Sequence, residues 1–125
     1  MSSADPAARA QALAEAAAFD FALGDEAAAL AKLAEAVALD PGCFEAWLAK
    51  AEVHFARRQL DEALAAGNRA AELRPKDIHA QTSLSRIWME RGDKTKAEQH
   101  GAQARVLGWG EQLKQPEGPQ PGEIG

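Results

Sequence analysis

The sequence predicts an all-α fold in which a helix-turn-helix unit is repeated three times, and three observations carry that expectation. Alanine supplies 30 of the 125 residues, against 12 Leu, 3 Val, 3 Ile and 7 aromatics. Alanine has the best intrinsic helix propensity, and the β-branched and aromatic residues that suit strands are scarce. Secondly, the chain repeats itself every 34 residues: Gly24, Arg58 and Gly92; Ala29, Ala63 and Ala97; Ala36, Ala70 and Ala104; Leu39, Leu73 and Leu107. Thirdly, turn and capping residues recur where the apolar stretches break, at Gly24-Asp25, Arg58-Gln59 and Gly92-Asp93.

Each helix has a local chemical reason. Asp5 before Pro6 sets a capping oxygen ahead of a residue already held near helical φ, so the first helix is predicted over 6–23. Asp25 and Asp93 cap the second helices of units one and three, and the glycine before each accepts the positive φ of a tight turn. The second helices of units one and two end at Leu39-Asp40-Pro41 and Leu73-Arg74-Pro75, because proline disfavours helix at the residue before it. The remaining helices are predicted over 26–39, 43–57, 60–73, 77–91 and 94–107. Residues 110–125 hold three prolines and four glycines and are expected to form a flexible tail, leaving one domain over 1–109. Gly67 and Gly101 fall inside predicted helices at a cost of about 1 kcal/mol each relative to alanine, which points to close backbone approach there.

Composition excludes several classes of function. With 14 basic and 19 acidic residues the net charge is −5, so the phosphate-neutralising contacts that dominate nucleic-acid affinity have no source. One cysteine, Cys43, allows no intrachain disulfide and fits a reducing compartment, expected to be the cytoplasm. No secretory signal and no membrane span is visible. No metal, nucleotide or nucleophile motif stands in the chain, so neither enzyme activity nor a cofactor or metal is expected. Cys43 reads as a small residue at a helix start and His54 as a packed imidazole. Trp88 and Met89 read as packing residues. Asp20 and His54 occupy equivalent places in adjacent units, where a hydrogen-bonded pair is conceivable though disfavoured.

Three units in strict register, with small residues at Ala17, Ala51 and Ser85 and prolines at Pro41 and Pro75, resemble the tetratricopeptide repeat, W-x2-L-G-x2-Y, then A-x3-F, then P. Unit two carries Trp47, Ala51, Ala63 and Pro75 of that pattern but has Lys50, His54 and Gly67 where leucine, tyrosine and phenylalanine are usual. Unit one reads Leu13, Ala16, Ala17, Asp20, Ala29, Leu33 and Pro41; unit three has drifted at Gln81 and Trp109. The resemblance covers about residues 8 to 109, in units 8–41, 42–75 and 76–109, and implies a right-handed α-solenoid.

It further implies a protein-interaction module, an adaptor or small chaperone, whose first helices line a concave groove. That peptide-binding groove is expected to include Phe21, Glu45, Leu48, Glu52, Phe55, His79, Arg86 and Met89. The alternative reading of Phe21, Leu48 and Phe55 is that they seal the contacts between neighbouring first helices. Some family members clamp acidic chaperone tails with lysines, asparagines and an arginine. The corresponding places here are Ala14, Ala18, Ala49, His79 and Ser83, so an apolar or basic segment is the expected partner. A second reading is an assembly protein: residues 1–41 carry net −5 and residues 76–109 net +2, which permits salt-sensitive self-association.

Overall fold

In a computed structural model that describes residues 5–113, six helices follow one another: α1 (Pro6–Ala22), α2 (Glu26–Leu39), α3 (Phe44–Ala56), α4 (Leu60–Leu73), α5 (Ile78–Arg91) and α6 (Lys94–Leu113). No strand occurs among the described residues. Aspartates start four of the helices. The Oδ1 atoms of Asp5, Asp25, Asp77 and Asp93 accept the amide protons of Ala8 (2.7 Å), Ala28 (3.1 Å), Ala80 (3.1 Å) and Lys96 (3.0 Å). Each satisfies an amide left without an intrahelical partner. Unit two has no such cap: Cys43 and Gln59 stand before α3 and α4 without a side-chain bond to the helix-start amides.

α1 and α2, α3 and α4, and α5 and α6 pair as hairpins, α2 and α4 pack against the next unit, and α3 touches both α1 and α5. The three first helices therefore lie side by side along one face. Alanine dominates the interior: Ala10, Ala29, Ala36, Ala46, Ala63, Ala70 and Ala80 are wholly buried, and Leu33, Leu84, Ile87 and Val53 are the bulkiest fully buried side chains. An alanine surface contributes little area per residue, so the helices must approach closely to bury enough. The closest approach is at Gly67, where a Cβ would meet Leu84 Cδ2 at 3.0 Å, and at Gly101, where it would meet Ser85 Oγ at 3.2 Å.

The turn inside each hairpin repeats one backbone conformation. Gly24 and Gly92 both have φ of 88°, and Arg58 adopts φ of 64°, the one non-glycine at positive φ among the described residues. A side chain there is strained against its own carbonyl. The Arg58 guanidinium partly offsets this through an ion pair with Glu90 at 2.9 Å, but the pair is solvent-exposed and contributes little. Arg58→Gly is expected to leave stability unchanged or raise it by up to about 1 kcal/mol. Urea melts of the two proteins check this, and a clear loss would assign Arg58 a structural contact.

One expectation meets a different outcome. The last helix continues six residues past its predicted end at 107, through Gly108, Trp109 and Gly110 to Leu113, so the boundary placed at 110 falls inside α6. The reason is the missing stop: Pro41 and Pro75 follow α2 and α4, whereas the third unit has Trp109 at that place, and the next proline is Pro116. The rest of the expected tail, 114–125, lies outside the described residues, as do residues 1–4. Asp20 and His54 do not pair, as the sequence reading favoured. Asp20 forms an ion pair with Lys32 of its own hairpin, and His54 Nδ1 shares a hydrogen bond with Gln59 Oε1 at 2.8 Å. Asp20 turns to the second helix of its unit and His54 to the residue just before α4, not toward one another.

Candidate functional site

The groove along α1, α3 and α5 is divided into two depressions that share Glu52. The larger, about 410 Å³, lies between α3 and α5 and is walled by Phe21, Phe55 and Ile87, with Ala51, Ala56 and Ser83 leaving it deep. The smaller, about 250 Å³, lies between α1 and α3. Its floor is Ala14, Ala18, Leu48 and Ala49, and its rim carries Glu15, Glu45 and Glu52. Small residues on adjoining helices open both spaces, since a bulkier side chain at Ala14 or Ala51 would fill them.

Electrostatics centre on Glu52. Desolvation in the groove raises its carboxyl above the usual carboxylate range, and the charges of Arg86 and His79 pull it back only in part. The Arg86 guanidinium lies over the Phe55 ring, 4.9 Å from its centroid, joining an acidic site to an apolar one. Glu45 on the rim faces Arg74 at 3.3 Å, which in turn covers the buried Phe44 ring.

Of the eight residues expected in the groove, Phe21, Glu52, Phe55 and Arg86 gather around the larger depression, and Glu45, Leu48 and Glu52 around the smaller. His79 and Met89 line neither; His79 acts on Glu52 through its charge, and Met89 is exposed. Ala51, Ala56 and Ile87 line the larger depression without having been expected there. Ile87 is the third member of the series Phe19, Val53 and Ile87 at the 34-residue period, and that series was the available signal. Phe21, Leu48 and Phe55 are each partly buried, so they both pack on neighbouring helices and present surface to the groove.

The polar contacts between helices show how drifted repeat positions still function. Trp47 Nε1 donates to the Pro41 carbonyl at 2.7 Å, tying the start of α3 to the end of α2. One repeat later Gln81 Nε2 donates to the Pro75 carbonyl at 3.2 Å, so glutamine keeps the bond that tryptophan makes. Gln81 Oε1 also meets His100 Nδ1 of α6 at 2.7 Å, and burial holds the His100 imidazole below its ordinary pKa. Cys43 is buried, with Sγ 4.0 Å from Gln11 Oε1. No group of three or more His, Cys, Asp or Glu residues that could hold a metal ion exists among the described residues. None of the described helices is long and apolar enough to cross a membrane.

Stacked helical hairpins whose first helices adjoin along one face define a helical-repeat protein-interaction module. The family model for the tetratricopeptide repeat matches residues 20–87, and the chain belongs to that family. Among solved structures it is similar to the crystal structure of MamA, with a TM-score of 0.79 and 20% identity over 87% of this chain and 63% of that one. It therefore spans about three-fifths of the MamA chain. The second TPR of Spaghetti (RPAP3) bound to HSP90 peptide SRMEEVD superimposes with a TM-score of 0.77 at 16% identity, over 79% of this chain and 92% of that one. The Yersinia enterocolitica type III secretion translocator chaperone SycD gives 0.75 at 17% identity, over 92% and 82%. Among curated proteins no significant sequence match was found.

Proposed function

We propose that this chain is a non-enzymatic adaptor or small chaperone that holds an apolar or basic segment of another protein in the groove of α1, α3 and α5. One observation carries the reading: Glu52 is shared by an alanine-floored acidic depression and an aromatic-walled one. A lysine or arginine of the partner gains a charge-assisted contact at Glu52 and an adjacent apolar side chain fills the space beside Phe21 and Phe55. An acidic segment meets Glu15, Glu45 and Glu52 instead. The peptide carried by the RPAP3 repeat has two glutamates and an aspartate, and the places of the family's basic clamp here are Ala14, Ala18, Ala49, His79 and Ser83. The single buried cysteine is consistent with work in the cytoplasm.

Calorimetric titration with SRMEEVD and with its charge-reversed analogue SRMKKVK tests this. The basic peptide is expected to bind at least about tenfold more tightly, equivalent to about 1.4 kcal/mol. Its affinity should rise as pH rises through the elevated Glu52 pKa, because only the ionised carboxyl attracts the cation. Glu52→Lys should invert the preference. Tighter binding of the acidic peptide to the wild type would overturn the proposal.

A further inference from the structure

The two ends of the repeat array carry large apolar residues that nothing among the described residues covers. By the 34-residue period, Ala12 and Phe19 of α1 and Leu23 just after it stand where Ala46, Val53 and Arg57 do in and after α3, and where α5 has Ala80, Ile87 and Arg91. In the inner units these positions are the seam with the unit before. Ala46 and Val53 pack into the unit-one core, and Ile87 lies over Gly67 of α4. Arg57 and Arg91 reach back to Glu26 and Asp61 at the starts of α2 and α4. In unit one the same positions are open: Phe19 is 66% and Leu23 69% exposed, whereas Val53 and Ile87 are each 1% exposed. The substitution of leucine for the seam arginine makes this edge more apolar than its counterparts, the reverse of the polar outer face expected of a terminal repeat.

At the opposite end, Val106, Trp109 and Leu113 follow one another by three and four residues and form a single stripe along α6, all strongly exposed. Arg105 lies over Gly101, with Nη1 3.8 Å from the point a Cβ would take, and occupies the seat a following helix would use in an uninterrupted array. The apolar stripe stands beside it.

We propose that the α1 edge of one copy docks on the α6 stripe of a second copy, head to tail. Charge selects this arrangement over its alternatives. Residues 1–41 carry net −5, whereas residues 76–113, which include Glu111 between Trp109 and Leu113, carry net +1. Pairing α1 with α1 sets two acidic ends face to face, whereas α1 against α6 joins opposite signs and apolar edge to apolar edge. The contact is heterologous, so each oligomer keeps one free head and one free tail and grows until rotation closes a ring.

Sedimentation equilibrium of the full chain tests it. The average mass of the wild type should rise with concentration at low ionic strength and fall toward the monomer in about 0.5 M salt, where the Debye length is only a few ångströms. Phe19→Asp and Trp109→Asp each alter an exposed side chain, so both should keep the helical circular dichroism of the wild type, and each alone should stay monomeric. Mixed in equal amounts they should form a one-to-one dimer that grows no further, since one retains an intact tail and the other an intact head. A monomer at every concentration in low salt, self-association of Trp109→Asp through α1, or a mixture that stays monomeric would each overturn the proposal.

Discussion

Truncating Phe55 to alanine is expected to weaken binding of the basic peptide by about 1–3 kcal/mol, the scale of an aromatic anchor at an interface. The ring is partly buried, walls the larger depression with Phe21 and lies under the Arg86 guanidinium. Its removal strips the depression of one apolar wall and leaves Arg86 without a surface to stack on. The cost to the fold should be roughly 2–3 kcal/mol, because a fully buried phenylalanine is worth about 3–5 kcal/mol and this one is only partly buried. Titration calorimetry and thermal melting of the same variant separate the two roles. A large melting-temperature drop with peptide affinity intact at low temperature would make Phe55 a sealing residue and remove it from the binding surface.

Gln81→Leu should destabilise the protein by roughly 1–2 kcal/mol, the cost of breaking two partly buried hydrogen bonds. Gln81 is 4% exposed, and it alone connects the Pro75 carbonyl at the end of α4 with His100 on α6. Leucine fills the space but satisfies neither partner, so the loss is one of hydrogen bonds and not of volume. Burial of His100 beside Gln81 sets a pH dependence. Burial lowers the folded-state pKa of His100 below its ordinary 6.5, so the unfolded chain binds the proton more readily. The stability contributed by the neutral imidazole is fully present above about 6.5 and is lost as pH falls through the lowered folded value. Chemical melts across that range should show a decline that His100→Gln flattens; a decline of equal slope in the variant would assign it to other groups.

Helix number, helix type and most boundaries were legible in the sequence because they rest on short-range causes. Asp5-Pro6, Gly24-Asp25 and Leu73-Arg74-Pro75 act within a turn of where they stand, and five of the six helices end within a residue or so of their expected limits. The strain at Arg58 was legible for the same reason, since its 34-residue counterparts are glycines. α6 escaped because the absence of a proline is a weaker signal than its presence, and Gly108 and Gly110 disfavour a helix without forbidding it.

The groove was legible in outline, as a face shared by first helices, but its division into two depressions was not. That division depends on which alanines of neighbouring helices oppose one another, a relation between residues about 34 apart that no local pattern encodes. The same holds for the hydrogen bonds. Nothing in the local sequence says that Asp20 turns to Lys32 and away from His54, or that Gln81 takes over the bond of a repeat tryptophan while reaching His100 nineteen residues on. Periodicity and capping chemistry therefore determined the repeat, its helices and the face that carries the groove. Tertiary packing decided which polar side chains meet, because a buried donor takes whichever acceptor the approach of two helices brings within about 3 Å.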